Sequence, residues 1–196
     1  MYNADSFSKE LDMIRCPDIR KFVYNILKKA PPYFYTAASS SSGKYHPAQS
    51  NGEGGLVRHT KATAYFAHEF CACYGLTGRS ADHAVAAAIL HDICKYGLPG
   101  GQHTTKTHDK ESADFVMALG KAYLNTSEAG VFGPDELVEI CKGIAFHMGT
   151  WTIHDRKKAF PGDYSPLEAC VHMADMASSR KEVSLNYLAE PTVGIG

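Results

Sequence analysis

In the stretch Ile89-Leu90-His91-Asp92-Ile93-Cys94-Lys95-Tyr96-Gly97 a histidine and an aspartate stand side by side at the end of an apolar run, just ahead of a Gly and a Pro. Val85, Ala88, Ile89 and Asp92 recur at helical spacing, so the carboxylate falls on the apolar face of a helix that begins near Ser80. A carboxylate there costs several kcal/mol unless it is paired or holds a metal ion. The chain must therefore fold so as to bring Asp92 its partners. Alone, the His-Asp pair reads equally as a buried imidazole bonded to its neighbour or a helix-terminal pair facing water. What separates these readings is the supply of further His and Asp residues on apolar faces.

Helical periodicity runs through the chain and no stretch alternates as a strand does, so the fold class expected is all-α. Ser6 to Ala30 reads as helical with a break at Cys16-Pro17, and Pro31-Pro32 ends the region. Tyr33 to Gly55 is aromatic, then serine-rich, then glycine-rich, an ordered loop laid over the body in which Lys44, Tyr45 and His46 either face a ligand or belong to a solvated loop whose aromatics pack down. Leu56, His59, Thr63, Phe66 and Phe70 share the face of a second helix, which turns His59 inward and leaves His68 to the surface. His108 opens a helix continued by Ser112, Phe115, Val116 and Leu119, while His103 in the preceding loop faces solvent. Pro134 and Asp135 start another helix, with Pro and acids in its first turn, whose stripe Leu137, Ile140, Ile144 ends on His147. Gly149 to Pro166, with Trp151 and several basic residues, is a loop long enough to cover a ligand. On the last helix Leu167, Val171, Ala174, Asp175 and Ser178 put a second carboxylate against the core.

With 196 residues, 44% of them hydrophobic, one domain over residues 1–196 is expected, residues 1–55 packing on the remainder. A net charge of −1 gives no overall basic field for a long nucleic-acid footprint, while a phosphorylated small molecule remains compatible. The six cysteines lack CxxC spacing and read as reduced core residues. With no signal-peptide pattern and no apolar run of about 18 residues, a cytoplasmic location without membrane attachment is expected.

Collected, His59, His91, Asp92, His108, His147 and Asp175 are inward nitrogen and oxygen donors from five helices. With no thiolate among them they suit one or two divalent ions such as Mn, Fe, Co, Ni or Zn better than Mg. A bridging Asp would permit two ions, which activate a shared water for attack at phosphorus. Lys95, one turn after Asp92, is placed to bind a phosphoryl oxygen, its ordinary alternative being a cation at a helix C-terminus. Asp92 and Lys95 are thus the catalytic candidates. Lys44, His46, Lys95 and Arg180 are the candidates for substrate contact.

The order His59, His91-Asp92, Asp175 resembles the HD-domain metal-dependent phosphohydrolase superfamily, a helical fold with a metal centre in its core. Gly54-Gly55-Leu56-Val57-Arg58-His59-Thr60 and Leu90-His91-Asp92-Ile93-Cys94-Lys95 are similar to its first two motifs, and His108 and His147 match the extra ligands of dinuclear members. The Lys44-Tyr45-His46 segment is similar to the catalytic domain of YhaM-type 3′→5′ exoribonucleases, although those often carry two adjacent histidines where this chain has Phe146-His147-Met148. Single-domain YqeK-type dinucleoside tetraphosphate hydrolases share the six-ligand pattern, and 5′-deoxynucleotidases differ in having Glu where Lys95 stands. The resemblance implies a metal-activated water cleaving a phosphoester or phosphoanhydride of a nucleotide or a short single-stranded nucleic acid. Dinucleoside polyphosphate or nucleotide hydrolysis, or nucleotide binding without catalysis, are the alternatives.

Overall fold

The computed structural model describes residues 2–40, 46–98, 100–101, 103–155, 158 and 160–183. These form seven α-helices and no strand: α1 (Ser8–Asp12), α2 (Pro17–Leu27), α3 (Gly55–Phe70), α4 (Arg79–Leu90), α5 (His108–Leu124), α6 (Pro134–Ala145) and α7 (Pro166–Ser178). Three of them begin on proline, whose fixed φ suits a first helical turn and whose missing N–H costs nothing there. α7 adds a capping box: the Ser165 hydroxyl accepts from the Glu168 N–H, and the Glu168 carboxylate accepts from the Ser165 N–H at 2.7 Å.

α4 lies at the centre, against α2, α3, α6 and α7, and every residue from Ala84 to Leu90 is buried. A helix apolar all round belongs where neighbours surround it, and its alanines let those neighbours approach. One buried apolar cluster runs from Ala4 to Val171, so the N-terminal helices share a core with the later ones. Within it Phe22 stacks on Phe132 with centroids 4.4 Å apart. The break before Pro17 is stitched to the central helix, because buried Asp82 accepts the backbone N–H groups of Arg15 and Cys16 at 2.9 and 2.8 Å.

Two helices stop short of their sequence patterns. α4 ends at Leu90, leaving His91 as its cap and Asp92 in the following turn, and α6 ends at Ala145, two residues before His147. In both places the imidazole Nδ1–H donates to the carbonyl three residues back, Ala88 for His91 and Ile144 for His147, each at 2.7 Å. Each ring thus satisfies one of the carbonyls a helix end leaves open. Of the cysteines, Cys71, Cys94, Cys141 and Cys170 are buried and none of the six is in a disulfide. No helix among the described residues is long and apolar enough to cross a membrane.

Candidate metal centre

The N-terminus of α3 is tied to the loop before it, and this tie sets His59. Gly54 adopts a left-handed φ of +69°, and a Cβ on Gly55 would lie 2.1 Å from the Ser50 carbonyl oxygen. No other residue type fits that approach. The Leu56 N–H donates to the Ala37 carbonyl at 2.9 Å, and the Arg58 guanidinium donates to the carbonyls of Gln49, Asn51 and Glu53. His59 follows directly and is fully buried. The turn carrying Asp92 and Lys95 is held by the same loop. Tyr33 stacks on Tyr96 and donates its hydroxyl to the Gly97 carbonyl, while the Tyr96 hydroxyl donates to the Ala38 carbonyl.

Four imidazoles meet behind this turn with their tautomers fixed from outside. His108 Nδ1–H donates to the Thr105 carbonyl at 2.8 Å, repeating the arrangement of His91 and His147. His59 Nδ1 faces Ser178 Oγ at 3.2 Å, in a chain where Ser178 also reaches the Asp175 carbonyl and Thr63 donates to the His59 carbonyl. With Nδ1 protonated, each neutral ring carries its lone pair on Nε2. Those lone pairs face one another: Nε2 of His59 and His91 are 3.3 Å apart, as are Nε2 of His108 and His147. Two acceptors in contact repel, and a cation between them reconciles the arrangement. Imidazoles oriented from behind by carbonyls and hydroxyls are the usual setting of metal-bound histidine.

Asp92 divides the cluster between its two oxygens. Oδ2 lies 3.5 and 3.3 Å from Nε2 of His59 and His91, whereas Oδ1 lies 3.2 and 3.6 Å from Nε2 of His108 and His147. Asp175 Oδ1 closes the first group at 3.0 Å from His59 and 3.7 Å from His91. Oδ1 of Asp92 is buried with no hydrogen-bond donor among the described residues, an acceptor poised for a cation. The sets His59, His91, Asp175 and His91, Asp92, His147 each bring their donor atoms close enough together to hold an ion.

The HD-domain family profile matches residues 56–179, from the start of α3 through α7. The chain is an HD-domain protein. No curated protein and no solved structure matches it.

The electrostatics of this HD domain favour a charged Asp92. Burial alone would raise the Asp92 carboxyl, but the Lys95 ammonium, and after it His91, outweigh that and hold it well below the usual carboxylate range. Asp175 is likewise lowered against its burial, chiefly by His59 and His91. Burial lowers His59 and His147, outweighing the carboxylates that face them. For His91 burial acts the same way, and the charge of Asp92 outweighs it.

The centre opens into a cleft of about 980 Å³ lined at depth by Lys95, His108 and Asp175. Lys95 is buried, and its ammonium pairs directly with Oδ2 of Asp92. His46 lines the cleft with its ring edge-on to His59, centroids 5.1 Å apart, and Nδ1 lacks a hydrogen-bond partner among the described residues. Burial, with His59 and Lys95 adding to it, pushes its imidazole down to about 3. Arg180 stands exposed at the rim. Lys44 and Tyr45 lie outside the described residues. His68 and His103 are exposed, as expected. Ser178, expected on the inward stripe but given no role, and His172, not expected at all, also belong to the site. His172 is buried and its Nδ1–H donates to the His147 carbonyl at 2.7 Å. Their spacing of three residues on either side of Asp175 was the available signal.

Proposed function

We propose that this HD domain is a metal-dependent phosphohydrolase that cleaves a phosphoester or phosphoanhydride of a nucleotide or short single-stranded nucleic acid. The observation that carries the reading is the division of Asp92, one oxygen toward the His59–His91 pair and the other toward the His108–His147 pair. A carboxylate so placed serves two sites at once. His59, His91, Asp92 and Asp175 would hold one ion, and Asp92, His108 and His147 a second. Four imidazoles with two carboxylates favour Mn, Fe, Co, Ni or Zn over Mg. Bound divalent ions at such a centre supply a water deprotonated near neutral pH and positive charge for the phosphoryl oxygens.

The chain's own groups do the rest. Lys95 places a buried ammonium at the mouth of the centre, where it neutralises Asp92 and offers a fixed cation to a phosphoryl oxygen entering from the cleft. His46, uncharged, presents an imidazole with an unused nitrogen to the same space and orients a bound phosphate by hydrogen bonding. The turn holding Asp92 is braced by Tyr33 and Tyr96, so its carboxylate is positioned before substrate arrives. The test is turnover by the metal-replete full chain on nucleoside mono-, di- and triphosphates, dinucleoside polyphosphates, cyclic nucleotides and short RNA, with Asp92→Asn alongside. Phosphate or nucleoside monophosphate release that Asp92→Asn abolishes is expected. Tight nucleotide binding with no release under any metal would instead make the domain a binding module.

A further inference from the structure

Four residues after His147, Trp151 stands 66% exposed on the wall of the cleft, and it is the single tryptophan of the chain. A single exposed apolar side chain is ordinary on a protein surface, but this one lines the cleft that opens on the His and Asp cluster. Its exposure does not come from a loose loop. Trp151 ends a short 3-10 turn from Gly149, in which its N–H donates to the Met148 carbonyl and the Thr152 N–H to the Gly149 carbonyl. Gly149 has φ +60°, and a Cβ there would lie 2.3 Å from Cε1 of His172. The turn is therefore pressed onto the ring that hydrogen-bonds the His147 carbonyl, and the Tyr164 hydroxyl donates to the Gly149 carbonyl. The backbone that carries the indole is thus tied to His147 through His172. Met148 and Met176 line the same cleft and extend the apolar surface, while Lys95, Arg180 and Lys181 bring cations to it and Glu182 a carboxylate.

A flat apolar ring on one wall and ammonium and guanidinium groups at the floor and rim match a ligand with a planar aromatic end and an anionic end. We infer that Trp151 is the platform on which the base of a nucleoside phosphate stacks while its phosphoryl group enters the metal centre. The ligand class is a nucleobase on a phosphorylated sugar, free or at the end of a short strand, as distinct from a sugar phosphate or inorganic phosphate. The inference rests on reading the cleft as a phosphohydrolase site, from which it takes where the phosphoryl end lies.

Because there is one tryptophan, its fluorescence reports on this position alone. The full chain loaded with Zn, which does not quench by paramagnetism, is titrated with adenosine monophosphate, a short oligoadenylate, ribose phosphate and inorganic phosphate, exciting at the red edge of the indole band. Saturable quenching by the first two and none by the base-free phosphates is expected, and the tighter of the two adenine ligands identifies the source. Trp151→Ala should weaken adenosine monophosphate binding by about 5- to 150-fold, the range that loss of one base–aromatic stack gives. In turnover this raises KM and leaves kcat near the parent value. Trp151→Phe should recover most of the loss, and Trp151→Leu, equally apolar but not flat, should not. Unchanged emission with both adenine ligands, equal quenching by ribose phosphate, or unaltered affinity in Trp151→Ala overturns the inference. Quenching without turnover would leave the platform standing and remove the hydrolase reading. Turnover of nucleotides that is indifferent to Trp151→Ala would do the reverse.

Discussion

Nε2 of His108 lies 3.2 Å from Oδ1 of Asp92, the carboxylate oxygen that faces away from His59 and Lys95. Removing Asp92 therefore takes a donor from both imidazole pairs, whereas removing His108 takes a donor from one. Asp92→Ala is expected to fall at least about tenfold below His108→Ala or His147→Ala in kcat/KM. Should both histidine variants keep full activity and full metal content, the centre is mononuclear and the assignment of His108 and His147 as ligands is wrong.

Lys95 sits beside the centre, buried, with its ammonium paired to Oδ2 of Asp92. Lys95→Ala is expected to leave metal content unchanged and to lower kcat/KM by on the order of 10²-fold, the scale of one electrostatic contact in a transition state. Lys95→Glu should be worse. Normal turnover with only a lowered melting temperature would make the residue a stabiliser of its turn, and His46 or Arg180 would then be next to test as the phosphate contact.

Ser178 touches no candidate ion position, but its hydroxyl lies 3.2 Å from Nδ1 of His59. Ser178→Ala should cost about 10- to 100-fold in metal affinity, as loss of an outer hydrogen bond to a ligand does. Chelator competition measures it. Affinity equal to the parent protein would mean that packing alone orients His59.

Away from the centre, Glu136 at the start of α6 accepts from Arg79, His83 and the Gly133 N–H. Burial pushes its carboxyl up, but these partners outweigh that and hold it below its ordinary value of 4.5. Its contribution to stability is complete above pH 4.5 and disappears as the pH falls through the lowered value in the folded protein. Glu136→Gln should lower the melting temperature at neutral pH and flatten its decline below pH 4.5. An unchanged slope in acid would show that Glu136 does not contribute to acid unfolding.

Much of the site was legible because helical spacing decides which side chains face inward. His59 and Asp175 lie on α3 and α7 where their stripes put them, and His108 opens α5. His91, Asp92 and His147 are also inward, but beyond their helices, because each imidazole caps the carbonyl three residues before it. Periodicity cannot register that competition. Nor can it foresee contacts between distant segments. Ser178 on His59, His172 against the turn of Gly149, and Tyr33 on Tyr96 depend on how α7 and the N-terminal loop dock. The Gly54-Gly55 pair was visible as a motif. Its cause, the Ser50 carbonyl lying where a side chain would go, needed coordinates.

Four imidazole Nε2 atoms and two carboxylates converge on one candidate metal centre. Elemental analysis of the full chain, reconstituted with each of Mn, Fe, Co, Ni and Zn and then desalted, tests it most directly. The account predicts one to two equivalents of a transition metal per chain, about one for His108→Ala, and a near-complete loss for Asp92→Ala. Less than about 0.2 equivalents of every metal after reconstitution would contradict it.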